Sequence, residues 1–266
     1  MPVVDIAAHP MTQTVVIQSY RTDNVPEWID MCQASVRGWA AVRGWDYQFV
    51  GDEILDLVPD WYQQRAQGRM PVITDLGRLI LAREALQAGA SAAIWVDADV
   101  MIFDAHRFMV DIALDYAFCR EIWVQPGSGS GLKIYRNVHD AVCLFRQANP
   151  MLDFYIHACK SVMKRVQTGA ASGVPNQIVG TKLLTAMHNI VGFPLLDDVG
   201  MASPLVLRDL AAGGGAALDR LQTESASPLK AANLCGSLVG QTVDGVEISQ
   251  DLMVRVCEAL AAGEII

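Results

Sequence analysis

The chain has 266 residues, of which 52 % are hydrophobic and 18 % are charged, and its formal net charge is −9. This composition is typical of a globular protein with a large core and excludes an intrinsically disordered chain. The acidic balance and the lack of a basic block disfavour a nucleic-acid partner, because binding to a phosphate backbone requires a concentrated basic face.

The six cysteines are scattered without a CxxC pair or a zinc-like spacing, which indicates reduced thiols within the core. The N-terminal sequence has no signal-peptide pattern, and no apolar stretch reaches the roughly 20 residues that cross a bilayer. We therefore expect a soluble, cytoplasmic protein without a transmembrane segment.

The chain opens with a strand, a helix and a second strand. Residues 14–20 form a β-branched run that ends in polar residues, and residues 45–50 alternate between apolar and polar. Between them, apolar residues recur at helical spacing from Pro26 to about Arg43. This β–α–β order favours a parallel α/β sheet.

A second group of elements follows a polar stretch at residues 51–71, which predicts a loop with a short helix. Thr74 is the predicted N-cap of the next helix, and Gly89 is predicted to end it. The apolar run at residues 92–104 predicts a strand. Further along, the pattern predicts a strand over 118–124, a turn over 126–131, mainly helices from Asn137 onward, notably 152–166 and 182–188, and a flexible connection over 211–217.

Two carboxylates, Asp97 and Asp99, lie within the predicted strand at 92–104. Side chains two apart on a strand share a face, so both carboxylates are expected to reach one site. Such a pair resists burial unless a cation or hydrogen-bond donors neutralise it, and oxygen ligands suit Mg²⁺ or Mn²⁺. The alternative is that the two aspartates end the strand and cap the following turn.

Asp75 and Arg78 are three residues apart near the start of the preceding helix and therefore share a face. Arg78 offers a planar set of donors to phosphate or sugar hydroxyls, and Asp75 accepts hydrogen bonds from hydroxyls. The alternative is a surface ion pair that stabilises the helix start.

The segments TDLGR at 74–78 and IWVDADVMIFD at 94–104 together resemble the core of GT-A fold nucleotide-sugar glycosyltransferases. The resemblance is to the retaining groups that include glycogenin-like enzymes, mannosyltransferases and glucosylating toxins. It implies that Asp75 and Arg78 hold the donor sugar. It also implies that Asp97 and Asp99 bind Mn²⁺ or Mg²⁺ bridged to the diphosphate, with Ala98 beside the donor.

The same resemblance implies a Rossmann-like α/β fold, with a central, mostly parallel sheet flanked by helices and a helix-rich C-terminal half. Residues 1–266 would form one catalytic domain, with the nucleotide sugar bound by residues 1–125 and the acceptor side built by residues 126–266.

Further donor contacts are expected where TVVIQSYRT, at 14–22, resembles the first strand of that fold. Gln18, Ser19 and Tyr20 follow its carboxyl end, where open α/β sheets bind ligands, and are candidates for base or ribose contacts. The loop residue Gln177 is a candidate near the anomeric carbon, with a plain turn as the alternative. The chain lacks the C-terminal histidine motif of glycogenin-like enzymes, for which His188 and Asn233 are the late candidates.

The resulting hypothesis is a metal-dependent hexosyltransferase that uses a nucleoside diphosphate sugar, with Asp75, Arg78 and Gln177 as catalytic candidates. The acceptor hydroxyl belongs to an unknown saccharide, lipid or small molecule. One alternative is a haloacid-dehalogenase-type phosphatase, in which Lys182, Asp197 and Asp198 would serve with the aspartate pair. A further alternative is a non-catalytic protein that binds sugar nucleotides.

Overall fold

A computed structural model describes residues 13–129, 131–166 and 173–263. The predicted β–α–β opening is confirmed, with β1 at Thr14–Ser19, α1 at Glu27–Arg43 and β2 at Asp46–Val50. α1 ends where Gly44 adopts a left-handed conformation (φ 67°) and its N–H bonds back to the last turn, which residues with a Cβ rarely do. β1 pairs in parallel with β2, as the order of elements predicted.

The helix that follows begins earlier than predicted. After a 3₁₀ helix at Asp52–Leu57 and α2 at Asp60–Ala66, helix α3 spans Met70–Gln87, with Pro71 in its first turn, where the missing proline N–H costs nothing. The prediction of Thr74 as the N-cap is wrong, since its Oγ1 donates within the helix to the Met70 carbonyl at 3.1 Å. Asp75 and Arg78 therefore lie one turn deeper in the helix, on its buried side.

The predicted strand at 92–104 is two strands in different sheets. β3 covers Ala92–Val96 and β4 covers Val100–Ile102. Asp97 to Asp99 form the turn between them, which is closed by a 3.1 Å hydrogen bond from the Val100 N–H to the Asp97 carbonyl. The prediction that the two carboxylates share one face of a single strand is therefore wrong. They project from a turn at the carboxyl end of β3.

A long hairpin follows, formed by β5 at Tyr116–Pro126 and β6 at Leu132–Arg146. The prediction of mainly helical structure from Asn137 onward is wrong over residues 137–146. Residues 138–145 are all buried, and β6 lies between β3 and β5. Apart from His139 and Asp140 these residues are apolar, a pattern that does not distinguish a central strand from a buried helix.

The remaining elements make the second half of the chain rich in helices, as predicted. They are α4 (Met151–Arg165), α5 (Thr181–Val191), β7 (Leu195–Leu196), β8 (Val199–Met201), α6 (Pro204–Ala211), α7 (Ala216–Glu224), β9 (Ala231–Asn233), a 3₁₀ helix (Gly236–Leu238), β10 (Thr242–Val243), β11 (Val246–Glu247) and α8 (Gln250–Ala262).

The central sheet has the order β2-β1-β3-β6-β5-β7. Its pairings β1–β2, β1–β3 and β5–β7 are parallel, whereas β6 runs antiparallel to both neighbours. Strands β4, β9 and β8 form a second sheet. The predicted α/β class, with a central, mostly parallel sheet flanked by helices, is confirmed.

Burial follows from this layering. Helices α3 and α4 pack on one side of the sheet, and α1 packs with α6 and α8 around a second apolar cluster. All six cysteines are unpaired, and five of them are buried. None of the described helices combines the length and hydropathy that crossing a bilayer requires.

Candidate active site

A cavity of about 980 Å³ opens beyond the carboxyl ends of β1 and β3. This is the edge at which open α/β sheets bind ligands, because loops there diverge and leave a crevice. The walls come from α3, the 97–99 turn, the β5–β6 hairpin, the segment before α5 and the 3₁₀ helix after β9.

Arg78 lies at the base of this cavity among three carboxylates. Its guanidinium is 3.0 Å from Asp75 Oδ1, 3.1 Å from Asp97 Oδ1 and 3.4 Å from Asp140 Oδ2. It also donates to the Asp140 carbonyl at 3.1 Å and lies over the ring of Trp95, 5.3 Å from its centroid. Because only 6 % of Arg78 is exposed, these contacts fix its position before any ligand arrives.

The positive charge near Asp97 does not fully neutralise its carboxylate. Its Oδ1 accepts a 2.6 Å hydrogen bond from Trp95 Nε1 in addition to the Arg78 contact. Burial raises the pKa of Asp97 to about 7, and the nearby charges of Asp99 and Asp140 act in the same direction against Arg78. This carboxylate therefore resists ionisation unless a further positive charge is nearby.

Asp99 is held by neutral donors alone. Asn233 Nδ2 donates to its Oδ1 at 3.0 Å, and the Gly236 N–H donates to its Oδ2 at 2.7 Å. Burial raises the pKa of Asp99, which the Gly236 hydrogen bond opposes. Among the described residues, no lysine, arginine or histidine forms an ion pair with it.

The inner cavity contains more buried negative charge than positive charge. Six carboxylates line the cavity: Asp75, Glu121 and Asp140 are buried, Asp97 and Asp99 are partly buried, and Asp52 is exposed. Among the described lining residues, the one buried guanidinium is that of Arg78. His139 adds no charge, because burial lowers its pKa to about 4. The inner site is therefore electrostatically suited to a cation.

The donor set fits Mg²⁺ or Mn²⁺ in its chemistry, since Asp97 and Asp99 offer carboxylate oxygens and retain unused lone pairs. Within the described ranges, no cluster of three or more His, Cys, Asp and Glu side chains has the arrangement of a metal centre. Mg²⁺ is commonly held by one or two carboxylates, with waters and substrate phosphates at its other positions, which agrees with a site built on two aspartates.

Basic side chains lie farther out on the cavity wall. Arg21, Arg69 and Lys182 are exposed and line the cavity, in contrast to the buried acids. Lys182 is in the first turn of α5, whose backbone N–H groups also favour anions. The cavity thus has an acidic interior and a basic rim.

The structure brings most of the predicted site residues into this cavity. Ser19, Tyr20, Asp75, Arg78, Asp97, Ala98, Asp99 and Gln177 all line it. Gln18 has a different place: it is fully buried, and its amide donates to the Asp97 carbonyl at 3.1 Å and accepts from the Tyr47 hydroxyl at 2.9 Å. Gln18 therefore supports the 97–99 turn from behind.

Of the two late candidates for the histidine position, only Asn233 reaches the site. β9 pairs with β4 in a register that places Asn233 opposite Val100, beside Asp99. His188 instead stacks against Phe193 (ring centroids 4.9 Å apart) and does not line the cavity.

Two acids of the site, Asp140 and Glu121, were missed by the sequence reasoning. Asp140 contacts Arg78 and accepts a 3.3 Å hydrogen bond from the Tyr155 hydroxyl, while Glu121 accepts from Asn137 Nδ2 at 2.5 Å. The signal for Asp140 was a polar pair, His139 and Asp140, next to an apolar run. This pair indicates a site residue only if the apolar run is first recognised as a central strand.

The residues required by the phosphatase alternative are not assembled. Lys182 lines the cavity, but Asp197 pairs with Arg120 at 2.5 Å and Asp198 pairs with Lys230 at 3.0 Å, outside it.

Comparisons with known proteins give limited similarity. No family model matches the chain, and no curated protein matches it. Among solved structures, it is similar to the crystal structure of a glycosyltransferase involved in the glycosylation of the major capsid of PBCV-1, with 10 % identity, a TM-score of 0.47 and coverage of 92 % of this chain and 98 % of the other. It is also similar to A197 from STIV, with 8 % identity, a TM-score of 0.25 and coverage of 66 % and 78 %. At these TM-scores the similarity does not establish a shared function.

Proposed function

We propose that this protein is a metal-dependent glycosyltransferase that moves a hexose from a nucleoside diphosphate sugar to an acceptor hydroxyl. The observation that supports this most strongly is the pair Asp97 and Asp99 at the base of the cavity. Both are partly buried carboxylates with raised pKa values, and Asp99 has no ion-pair partner among the described residues. A divalent cation at this pair would neutralise the charge that develops on the departing diphosphate.

The side chains that line the cavity would contact successive parts of the donor. Ser19 and Tyr20, at the carboxyl end of β1, would contact the nucleoside. The basic rim, with Arg21, Arg69 and Lys182, would bind phosphate oxygens. Asp75 and Arg78 would hold the sugar, since both are buried and pre-oriented. Gln177 also lines the cavity, and it would face the anomeric carbon.

The test is a thermal-shift screen of nucleoside diphosphate sugars with and without Mn²⁺, because a ligand that binds only the native state raises its apparent stability. We expect at least one sugar nucleotide to raise Tm only when Mn²⁺ is present. If none of them shifts Tm under either condition, the proposal is wrong.

A second measurement separates the transferase from a protein that only binds sugar nucleotides. Slow Mn²⁺-dependent hydrolysis of the bound donor, detected as release of the nucleoside diphosphate, is expected of a transferase that lacks its acceptor. Tight binding of the donor without any hydrolysis or transfer would favour the binding protein.

A further inference from the structure

The β5–β6 hairpin extends beyond the edge of the central sheet at which the cavity opens. β6 pairs with β3 only over residues 142–146, the last of these contacts joining Val142 to Val96. Its pairing with β5 continues past that point to Leu132, opposite Pro126. The extended part of the hairpin therefore forms a wall of the cavity on the side away from β1.

Three side chains on this wall form a group that the donor contacts do not use. Glu121 and Trp123 are two apart on β5 and share its cavity face, and Asn137 lies opposite Glu121 in the strand register. Glu121 is 5 % exposed, and within the described residues its carboxylate accepts a hydrogen bond from Asn137 Nδ2 alone, with no ion pair. Trp123 is half-buried, and its indole N–H has no partner in the same part of the chain.

An aromatic ring beside a carboxylate matches the chemistry of a pyranose. The apolar C–H face of the sugar packs on an indole ring, and its hydroxyls donate to a carboxylate. Burial raises the pKa of Glu121, which the Asn137 hydrogen bond opposes, so an additional donor from a ligand would stabilise its charged form.

We propose that the acceptor is a saccharide, and that its ring lies on Trp123 while one of its hydroxyls donates to Glu121. This inference rests on the proposed transferase function and names its second substrate. A lipid acceptor fits less well, because the wall presents a buried carboxylate rather than a continuous apolar surface. A phosphate group fits less well, because no lysine or arginine among the described residues forms an ion pair with Glu121.

The order of strands places this wall on the acceptor side. Ser19 follows β1 and Asp97 follows β3, whereas Glu121 is on β5, two strands beyond β3. Neighbouring strands are about 4.8 Å apart, so β5 lies about 10 Å from the metal-binding turn. A donor that extends from β1 to β3 therefore leaves this distance for the acceptor ring.

The experiment measures saccharide and nucleotide binding separately on the same variants. Saturation-transfer NMR would follow methyl β-glucopyranoside, methyl β-galactopyranoside and methyl α-mannopyranoside in the presence of Mn²⁺ and the nucleoside diphosphate. Thermal shift would follow binding of the nucleoside diphosphate itself. The variants are Trp123→Ala, Trp123→Phe and Glu121→Gln. The matched controls are Phe49→Ala, an exposed aromatic on β2, and Glu84→Gln, an exposed acid on α3.

We expect at least one methyl pyranoside to bind the wild type. Trp123→Ala and Glu121→Gln should weaken that binding by about tenfold, and Trp123→Phe, which keeps a ring, should lose about threefold. The controls should bind as the wild type does, and the Mn²⁺-dependent shift with the nucleoside diphosphate should be the same in the wild type, both Trp123 variants and the controls.

Two other results have distinct meanings. If the wild type binds the nucleoside diphosphate with Mn²⁺ but binds no methyl pyranoside, the saccharide subsite is wrong and the transferase proposal stands. The same conclusion follows if Trp123→Ala and Glu121→Gln bind the methyl pyranoside with unchanged affinity. If the wild type does not bind any nucleoside diphosphate with Mn²⁺, the proposed function fails and the assignment of the acceptor fails with it.

Discussion

Two pairs of aspartates follow strands of this chain, and they differ in the ion pairs that they form. Asp197 and Asp198 come directly after β7, and each has its own base, Arg120 at 2.5 Å and Lys230 at 3.0 Å. Asp97 and Asp99 come directly after β3, yet only Asp97 contacts a guanidinium, that of Arg78, which also pairs with Asp75 and Asp140. Asp99 forms no ion pair with a described residue.

The difference lies in where the neutralising charge comes from. The pair after β7 is neutralised within the fold: Asp197 forms a partly exposed ion pair with Arg120, which is worth little, and Asp198 is buried against Lys230. The pair after β3 is neutralised only in part, and burial raises the pKa of both members. A fold that leaves carboxylates in this state is suited to a cation from outside the chain. The predictions below test this contrast.

The largest expected effect is on turnover. Asp99→Asn keeps the size of the side chain but removes its charge, and we expect it to lower Mn²⁺-dependent turnover of the donor about a thousandfold or more while the protein stays folded. The matched control is Asp197→Asn, which we expect to change turnover by less than about threefold, because that carboxylate lies outside the cavity.

This comparison would be measured by release of the nucleoside diphosphate, with circular dichroism to verify folding. If Asp99→Asn keeps wild-type turnover, or if Asp197→Asn loses as much as Asp99→Asn does, the contrast between the two pairs is broken.

The next effect is on stability. Arg78→Met removes the guanidinium and leaves Asp75, Asp97 and Asp140 without a positive partner in a buried site. Removing one partner of a buried ion pair costs about 3–5 kcal/mol, so we expect the free energy of unfolding to fall by about this amount at pH 8. Urea denaturation measures it. Arg120→Met, at the partly exposed pair with Asp197, should cost at most about 1 kcal/mol.

An equal loss in the two arginine variants would contradict the account. It would mean that the cluster around Arg78 is as well solvated as the surface pair. A cation would then not be required to neutralise the carboxylates.

A smaller effect is expected at Gly180, just before α5. A Cβ at this position would lie 2.9 Å from Asp75 Oδ2 and 3.4 Å from Asp140 Oδ1. Gly180→Ala should therefore displace the carboxylates that hold Arg78, at a cost of about 1–3 kcal/mol. The control is Gly38→Ala in α1, where a Cβ meets nothing within 4 Å, and which should gain up to about 1 kcal/mol through better helix propensity.

Chemical denaturation of the two alanine variants would give both values. Equal stability of Gly180→Ala and the wild type would show that the Asp75 and Asp140 side chains move freely, and the pre-oriented donor site would then be wrong.

The smallest effect concerns pH. Because the folded protein holds the proton on Asp97 more tightly than the unfolded chain does, this group stabilises the fold fully below its unfolded pKa of about 3.9, and the contribution is lost as pH rises through about 7. Asp97→Asn cannot ionise and therefore does not lose this stabilisation as pH rises. Without metal, the substitution should raise Tm at pH 8 by about 2–4 °C, corresponding to about 1 kcal/mol.

The same substitution should raise Tm by less at pH 5, where Asp97 is still protonated in the fold and only part of the contribution has been lost. Differential scanning calorimetry at the two pH values tests this. A lower Tm for Asp97→Asn at pH 8 would mean that Asp97 is ionised and adequately paired with Arg78 in the free protein.

The sequence predicted the first half of the fold better than the rest. The β–α–β opening was readable because each element is bounded by its own local signals, such as Pro26 before α1 and Gly44 after it. The β6 strand was not, since its place in the sheet depends on pairing with β3, which is distant in the chain, and the apolar run over residues 141–145 has no period to read.

The site shows the same division. Asp97, Asp99, Asp75 and Arg78 were found because each set is close in sequence and its chemistry is local. Asp140 and Glu121 were missed because they reach the cavity only through the long β5–β6 hairpin. Gln18 was expected to contact the donor, yet the pleat of β1 turns its amide inward to the Asp97 carbonyl. A difference of one residue in a strand determines which face a side chain takes, and the sequence did not indicate the face.

The central claim is that Asp97 and Asp99 bind a divalent cation together with the diphosphate of a sugar nucleotide. The most direct measurement is electron paramagnetic resonance of free Mn²⁺, titrated with protein in the presence of the nucleoside diphosphate that gives the largest thermal shift. We predict one Mn²⁺ bound for each wild-type and Asp197→Asn chain, and loss of that binding in the variant that combines Asp97→Asn with Asp99→Asn. Equal Mn²⁺ binding by all three proteins, or none by the wild type, would contradict the account.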